Sequence, residues 1–168
     1  MTHHIEQTLK VNVPASQLWK VMEDFASVEQ FATTIKSSPV INGIESGLGA
    51  KRKCTFNDGS SLVEEIVAFE EGQSFTMELS EYTLPLKSMS AQMKVTPINE
   101  NSSELQMSAD FVVKAGPLGW LMGFLLMKPM MKGVFTKLMT GLAYHTTTGK
   151  RIGDELPTKD ELTALIVN

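Results

Sequence analysis

The stretch that decides the fold runs from Gly116 to His145, GPLGWLMGFLLMKPMMKGVFTKLMTGLAYH. It is the only long segment that cannot be divided into strands. Leu118, Trp120, Leu121, Met122 and the run Phe124 to Met127 form a nearly unbroken apolar block, which Lys128-Pro129 interrupts. From Met130 onward the pattern changes. Met131, Val134, Phe135, Leu138, Met139 and Leu142 recur three and four apart, with Lys132, Thr136, Lys137 and Thr140 between them. That is the 3.6-residue period of an amphipathic helix with a wide apolar face. A proline inside a helix removes a backbone hydrogen bond, so Pro129 is expected in the first turn of the main helix, after a shorter helix or turn over 118–127. A helix of about 17 residues spans roughly 25 Å, enough to cross one face of a sheet.

The rest of the chain supplies that sheet. Ile5, Gln7, Leu9, Val11 and Val13 alternate with polar residues in a first strand that Pro14 ends. Leu18, Trp19, Met22 and Phe25 then follow at helical spacing, with Trp19 read as core, and Ser27 to Phe31 predicts a second short helical turn. Val40 and Ile41 fit a short strand, and Gly43, Gly47 and Gly49 mark a turn and a bulge. Beyond Gly49 the helical period is gone. Lys51 to Phe56 and Ser61 to Phe69 flank the hairpin signal Asn57-Asp58-Gly59. Phe75, Met77 and Leu79 alternate in the next strand, Met89, Ala91, Met93 and Val95 in the one after. Leu105, Met107, Ala109, Phe111 and Val113 alternate in the last. The short connections imply antiparallel pairing.

Length and composition set the remaining bounds. At 168 residues the chain reads as one domain over 1–149, with a tail over 150–168 that is partly helical or loose and that Thr158 or Asp160 would cap. A net charge of −4 argues against a nucleic-acid partner. The single Cys54 excludes an intrachain disulfide and leaves no thiolate cluster, so neither a metal nor another cofactor is expected. MTHHIEQTLK has no apolar core of a signal peptide, and the block at 118–127 is too short to span a bilayer, so a cytoplasmic location is expected. His3 and His4 decide nothing by themselves.

The element order is a strand, two short helices, about six further antiparallel strands and a long C-terminal helix. It resembles the START-related superfamily, which includes pollen-allergen-like proteins and the bacterial polyketide cyclase/dehydrase-like branch. The residues that carry the resemblance are VNVPASQLWKVMEDF, GLGAKRKCTFNDGSSLVEEIVAFEEGQSFTMEL and GPLGWLMGFLLMKPMMKGVFTKLMTGL, within about residues 3–145. It implies an α+β helix-grip fold, a strongly curved sheet of about seven strands wrapped around the last helix. It also implies an apolar ligand held between the two. On the inward faces proposed here, Phe75, Met77, Met89, Met93, Met107, Phe111, Val134, Leu138 and Leu142 would line that cavity.

No strong catalytic signature is present: HExxH, GxSxG and a phosphate loop are all missing. The candidates for acid–base work are Glu64, Tyr82 and His145. Glu64 shares strand parity with Leu62 and Ile66, and in an apolar cavity desolvation would raise its pKa. The opposite parity, Val63, Val67 and Phe69, is equally apolar, so the inner face stays open, and the plainer reading pairs Glu64 with Lys51 or Lys53. His145 is in register with Leu138 and Leu142 and either lines one cavity end or caps the helix. Tyr82 can orient a polar head group. Six of the eleven methionines fall between Met107 and Met139, which suits an adaptable apolar pocket and an ordinary core equally.

Three functions follow from this reading. The leading one is binding or transport of a hydrophobic small molecule, a lipid, isoprenoid or aromatic polyketide. The first alternative is a cyclase/dehydratase using a cavity acid–base residue. The second is a membrane-edge or partner-binding role for the 118–127 block, in which Trp120, Phe124 and Met127 would share an exposed face.

Overall fold

The computed structural model describes residues 2–167. Seven antiparallel strands form one sheet in the order β1-β7-β6-β5-β4-β3-β2. They are β1 (His3–Val11), β2 (Ile35–Ser37), β3 (Lys51–Phe56), β4 (Ser61–Glu70), β5 (Ser74–Ser80), β6 (Leu86–Asn99) and β7 (Ser102–Val113). Between β1 and β2 lie α1 (Ala15–Glu23), a 3-10 turn (Phe25–Ser27) and α2 (Val28–Phe31). This is the α+β helix-grip architecture: a seven-stranded antiparallel sheet closes around a long C-terminal helix.

The alternation in each strand sets which side meets that helix. Ile5 and Val11 of β1, Phe75 and Met77 of β5, Met93 and Val95 of β6 and Leu105, Met107, Ala109, Phe111 and Val113 of β7 are buried in one core with Phe135, Met139 and Leu142 of the helix. The open question of parity in the strand over 61–69 has a structural answer. Leu62, Glu64 and Ile66 point inward, then the β4–β5 register slips between Ile66 and Ala68, and Phe69 is brought to the inner side against Trp19. A bulge adds one residue to one strand and so reverses the alternation beyond it.

Two expectations change. The strand expected at Val40–Ile41 lies earlier, at Ile35–Ser37, and Val40 makes only an isolated bridge to Arg52. Ser38 diverts the chain there, its hydroxyl donating to the Ala26 carbonyl (2.6 Å) and its N–H to Glu29 (2.7 Å). The second concerns the joint before the main helix. Pro129 does fall in the first turn of α4 (Lys128–Thr148), after a shorter helical piece as expected, but the two are not separated: α3 (Gly116–Met122), a π turn (Gly123–Met127) and α4 run on as 33 helical residues from Gly116 to Thr148. Proline in a helix interior lacks an N–H and crowds the carbonyl four residues back. The wider π turn just before Pro129 relieves that conflict without ending the helix.

The C-terminal residues are part of the same core. Ile152, Leu162 and Leu165 are buried against it. Asn12 N–H donates to the Leu165 carbonyl (2.7 Å) and Val167 N–H to the Lys10 carbonyl (3.0 Å), so the tail covers the free edge of β1. Thr158 caps α5 (Lys159–Thr163) in a reciprocal capping box with Glu161. Among the described residues no helix is long and apolar enough to cross a membrane.

Candidate functional site

Where β3 turns into β4, the sheet and the long helix part and leave a groove of about 450 Å³. The hairpin over Asn57 to Ser60, with Gly59 in the left-handed region at φ +86°, forms one lip. The β5–β6 connection, Tyr82 to Leu84, forms another, and Met130 and Val134 of α4 form the wall. Phe56, Leu62, Leu84, Met130 and Val134 make it apolar, while Asn57, Asp58, Ser60, Tyr82 and Thr83 give it polar groups along the rim. Asp58 accepts from both the N–H (2.9 Å) and the hydroxyl (2.6 Å) of Ser60, which hold its carboxyl below the usual range. It therefore stays ionised at the lip.

Farther along β3 and β4 from the groove-lining Phe56 and Leu62 lies a buried charge cluster. Arg52 and Glu64 face each other across the β3–β4 ladder, and the Arg52 Nε donates to Glu64 Oε2 at 2.6 Å, with side chains 5% and 13% exposed. Arg52 also donates to the Phe25 carbonyl, contacts Met77 Sδ at 3.7 Å and lies 4.0 Å from the Phe25 ring centroid. The guanidinium thus ties β3, β4, β5 and the turn after α1 together. Cys54 Sγ is 3.4 Å from the same carboxylate oxygen. Burial and the Glu64 charge push the Cys54 thiol far up, so it stays protonated and is no nucleophile.

The partner of Glu64 is therefore Arg52. The two lysines proposed for it are elsewhere: Lys51 pairs with Glu65 at 3.0 Å, and Lys53 is exposed, opposite Val63. Arg52 was hidden in the Lys51-Arg52-Lys53 run, yet its parity with Cys54 and Phe56 is the signal that turns it inward. A lone acid in an apolar chamber is not what the interior contains; it contains an ion pair with hydrogen-bonded partners.

The other candidates are spread out. Tyr82 is half-buried on the groove rim. Glu64 lies two residues along β4 from Leu62, roughly 7 Å along the strand, and does not line the groove. His145 does not line the groove: it is 11 residues beyond Val134, roughly 16 Å along the helix. Its Nδ1 meets the Lys150 carbonyl at 2.7 Å, next to Phe31. Of the nine residues proposed to line a cavity, Val134 lines the groove. Phe75, Met77, Met93, Met107, Phe111 and Leu142 are each at most 4% exposed and belong to the packed core, and Phe111 and Met89 also border a separate hollow beside Tyr82. Met89 and Leu138 are partly buried against that core. Among the described residues no cluster of histidine, cysteine and carboxylate side chains is placed to hold a metal.

Comparison with known proteins agrees with the fold. Norcoclaurine synthase from Thalictrum flavum is 16% identical and superposes with a TM-score of 0.71, covering 89% of this chain and 96% of that one. XoxI from Bacillus cereus is 17% identical with a TM-score of 0.71, covering 86% and 96%. The Zhui aromatase/cyclase from Streptomyces sp. R1128 is 12% identical with a TM-score of 0.67, covering 90% and 100%. At these identities the likeness is one of fold. No curated protein matches the chain. The family model for polyketide cyclase / dehydrase and lipid transport matches residues 2–146, and the chain belongs to that family.

Proposed function

We propose that this protein binds a hydrophobic small molecule, a lipid, isoprenoid or aromatic polyketide, in the groove between the β3–β4 hairpin and α4. The observation that carries the reading is the groove itself: about 450 Å³, walled by Phe56, Leu62, Leu84, Met130 and Val134, with hydroxyls of Tyr82 and Ser60 on its rim. That volume lies in the range of small-molecule sites, and an apolar wall with a few convergent polar groups is their usual chemistry. An apolar tail lies against Met130 and Val134, and a polar head is met at the rim by Tyr82. The flexible Met130 lets the wall adapt to more than one ligand shape.

A cyclase/dehydratase reading asks for an acid–base pair converging on one substrate atom. Glu64, Tyr82 and His145 are dispersed between the β3–β4 ladder beyond the groove, the rim and the far end of the helix. The Glu64 carboxylate is engaged by Arg52, and His145 is engaged by the Lys150 carbonyl. Binding without chemistry is the better-supported reading.

The test is native mass spectrometry of protein purified gently from its own host, followed by extraction, alongside displacement of the dye 1-anilinonaphthalene-8-sulfonate by palmitate and farnesol. A one-to-one apolar adduct, lost in Val134→Trp because the indole fills the groove, supports the proposal. Bare protein that neither fatty acid nor isoprenoid enters, or an adduct indifferent to Val134→Trp, overturns it.

A further inference from the structure

The net charge of −4 conceals a segregation. Residues 111–153 contain none of the 19 acidic residues and six of the 15 basic ones, Lys114, Lys128, Lys132, Lys137, Lys150 and Arg151. The rest of the chain is strongly acidic. Within that acid-free stretch, the first half of the long helix exposes its apolar side chains. Leu118 is 75% exposed, Leu126 66% and Met130 54%, and Leu121, Phe124 and Leu125 are exposed too. Leu118, Leu121 and Leu125 line an apolar groove along α3 and the π turn, which Leu126 also joins. Met130 and Val134 follow Leu126 at spacings of four, so the stripe continues along one side of the helix to the ligand groove.

Cations accompany this stripe. Lys137 lies about one turn beyond Val134 within the exposed arc, and Lys132 and the half-buried Lys128 lie along one margin of it, the other margin being the buried face of Met127 and Met131. Lys114 precedes the helix. None of the four is paired with a carboxylate among the described residues. Met127, expected to share an exposed face with Trp120 and Phe124, instead points inward at 6% exposure. Trp120 and Phe124 stack on each other at 5.7 Å, and Lys128 sits 5.6 Å from the Phe124 ring.

We infer that the segment from Lys114 to Lys137 docks in the plane of an anionic lipid bilayer. The exposed leucines and Met130 enter the interface, and the lysines spread to meet the headgroups. An amphipathic helix with apolar residues on one arc and lysines on its margins binds in this way, and long lysine side chains reach headgroups while their stems stay apolar. A second protein with a charged rim would need acidic partners for the lysines. A second copy of this chain, docked helix to helix, would place like charges together. The acid-free stretch therefore favours the lipid surface. Because Met130 and Val134 belong to both surfaces, docking brings the mouth of the ligand groove to the bilayer.

The test is co-sedimentation of the full chain with vesicles of phosphatidylcholine alone and with vesicles that also carry phosphatidylserine, at low salt and at about 0.5 M salt. The expected result is binding to the phosphatidylserine vesicles that falls by about tenfold or more in the Leu125→Glu/Leu126→Glu variant, in the Lys132→Glu/Lys137→Glu variant and at high salt. All four positions are exposed, and unchanged far-ultraviolet circular dichroism checks that the variants fold. Absence of binding, equal binding to both vesicle types, or binding indifferent to both variants overturns the proposal. So does a lipid-free dimer that Leu125→Glu/Leu126→Glu dissolves, since that assigns the stripe to a second copy. The dye-displacement assay reads the groove separately, so failure of one proposal is distinguishable from failure of the other.

Discussion

Both halves of the long helix are rich in apolar residues and use them in opposite ways. From Phe135 to Tyr144 the apolar side chains face the sheet, and Met139 and Leu142 are completely buried. From Leu118 to Val134 most of them face outward. The glycines record the same contrast. A Cβ on Gly141 would stand 2.1 Å from the Phe31 carbonyl oxygen, whereas one on Gly133 would meet nothing within 4 Å. The C-terminal half holds the domain together; the N-terminal half is a surface. Hydrophobicity alone does not distinguish core from interface, because both need apolar area and only neighbours decide which is covered.

The largest expected effect lies in the core to which the C-terminal half is anchored. Arg52→Ala leaves the Glu64 carboxylate buried without its partner and is expected to cost about 3–5 kcal/mol, read by urea denaturation. A cost near zero would mean that the pair contributes nothing to the grip. Next, Leu142→Ala is expected to cost about 2–5 kcal/mol and Leu126→Ala to stay within about 0.5 kcal/mol, in the same assay. Equal costs would erase the contrast between the halves. Alanine scanning sharpens it further at the glycines. Gly141→Ala forces α4 away from α2 at about 1–3 kcal/mol, while Gly133→Ala stabilises the helix by up to about 1 kcal/mol.

The smallest effect concerns pH. His3 is buried between the rings of Phe111 (5.1 Å) and Trp120 (5.6 Å), its Nε2 without a partner among the described residues, and a Cβ on Gly123 would meet that nitrogen at 2.5 Å. Burial first, and then the Lys128 charge, lower its pKa below 6.5. The folded state therefore disfavours the proton. The stabilisation is complete above pH 6.5 and is lost as pH falls through the unfolded value toward the folded one. Tm should decline on going from pH 7.5 to pH 5 by about a few degrees more in the natural protein than in His3→Phe, which keeps the stacking and cannot titrate. A Tm profile identical in both would detach α3 packing from this histidine.

His3 also shows what a local reading misses. In the sequence it stands beside His4 at the end of the chain and carries no pattern beyond strand alternation. Its role depends on Trp120, more than a hundred residues away. Arg52 is a related case: alternation with Cys54 and Phe56 makes it legible as inward, but not that Glu64, Met77 and the Phe25 carbonyl would converge on it. The methionines divide similarly. Met107, Met127, Met131 and Met139 are core, while Met130 is half exposed at the groove. One composition served two surfaces.

Alternation of apolar residues determined the strands, and their short turns determined antiparallel pairing, because period-two patterning and turn chemistry act over a few residues. The 3.6-residue period likewise determined the long C-terminal helix and, with strand order, the helix-grip architecture. Tertiary structure alone decided the rest. The bulge at Val67 reversed the inner face of β4, and the π turn let the helix pass through Pro129. Packing opened the groove at the β3–β4 hairpin and set the Arg52–Glu64 pair next to it along the two strands. Each of these depends on what a residue meets across the fold, and contact between distant segments is a property of the assembled chain.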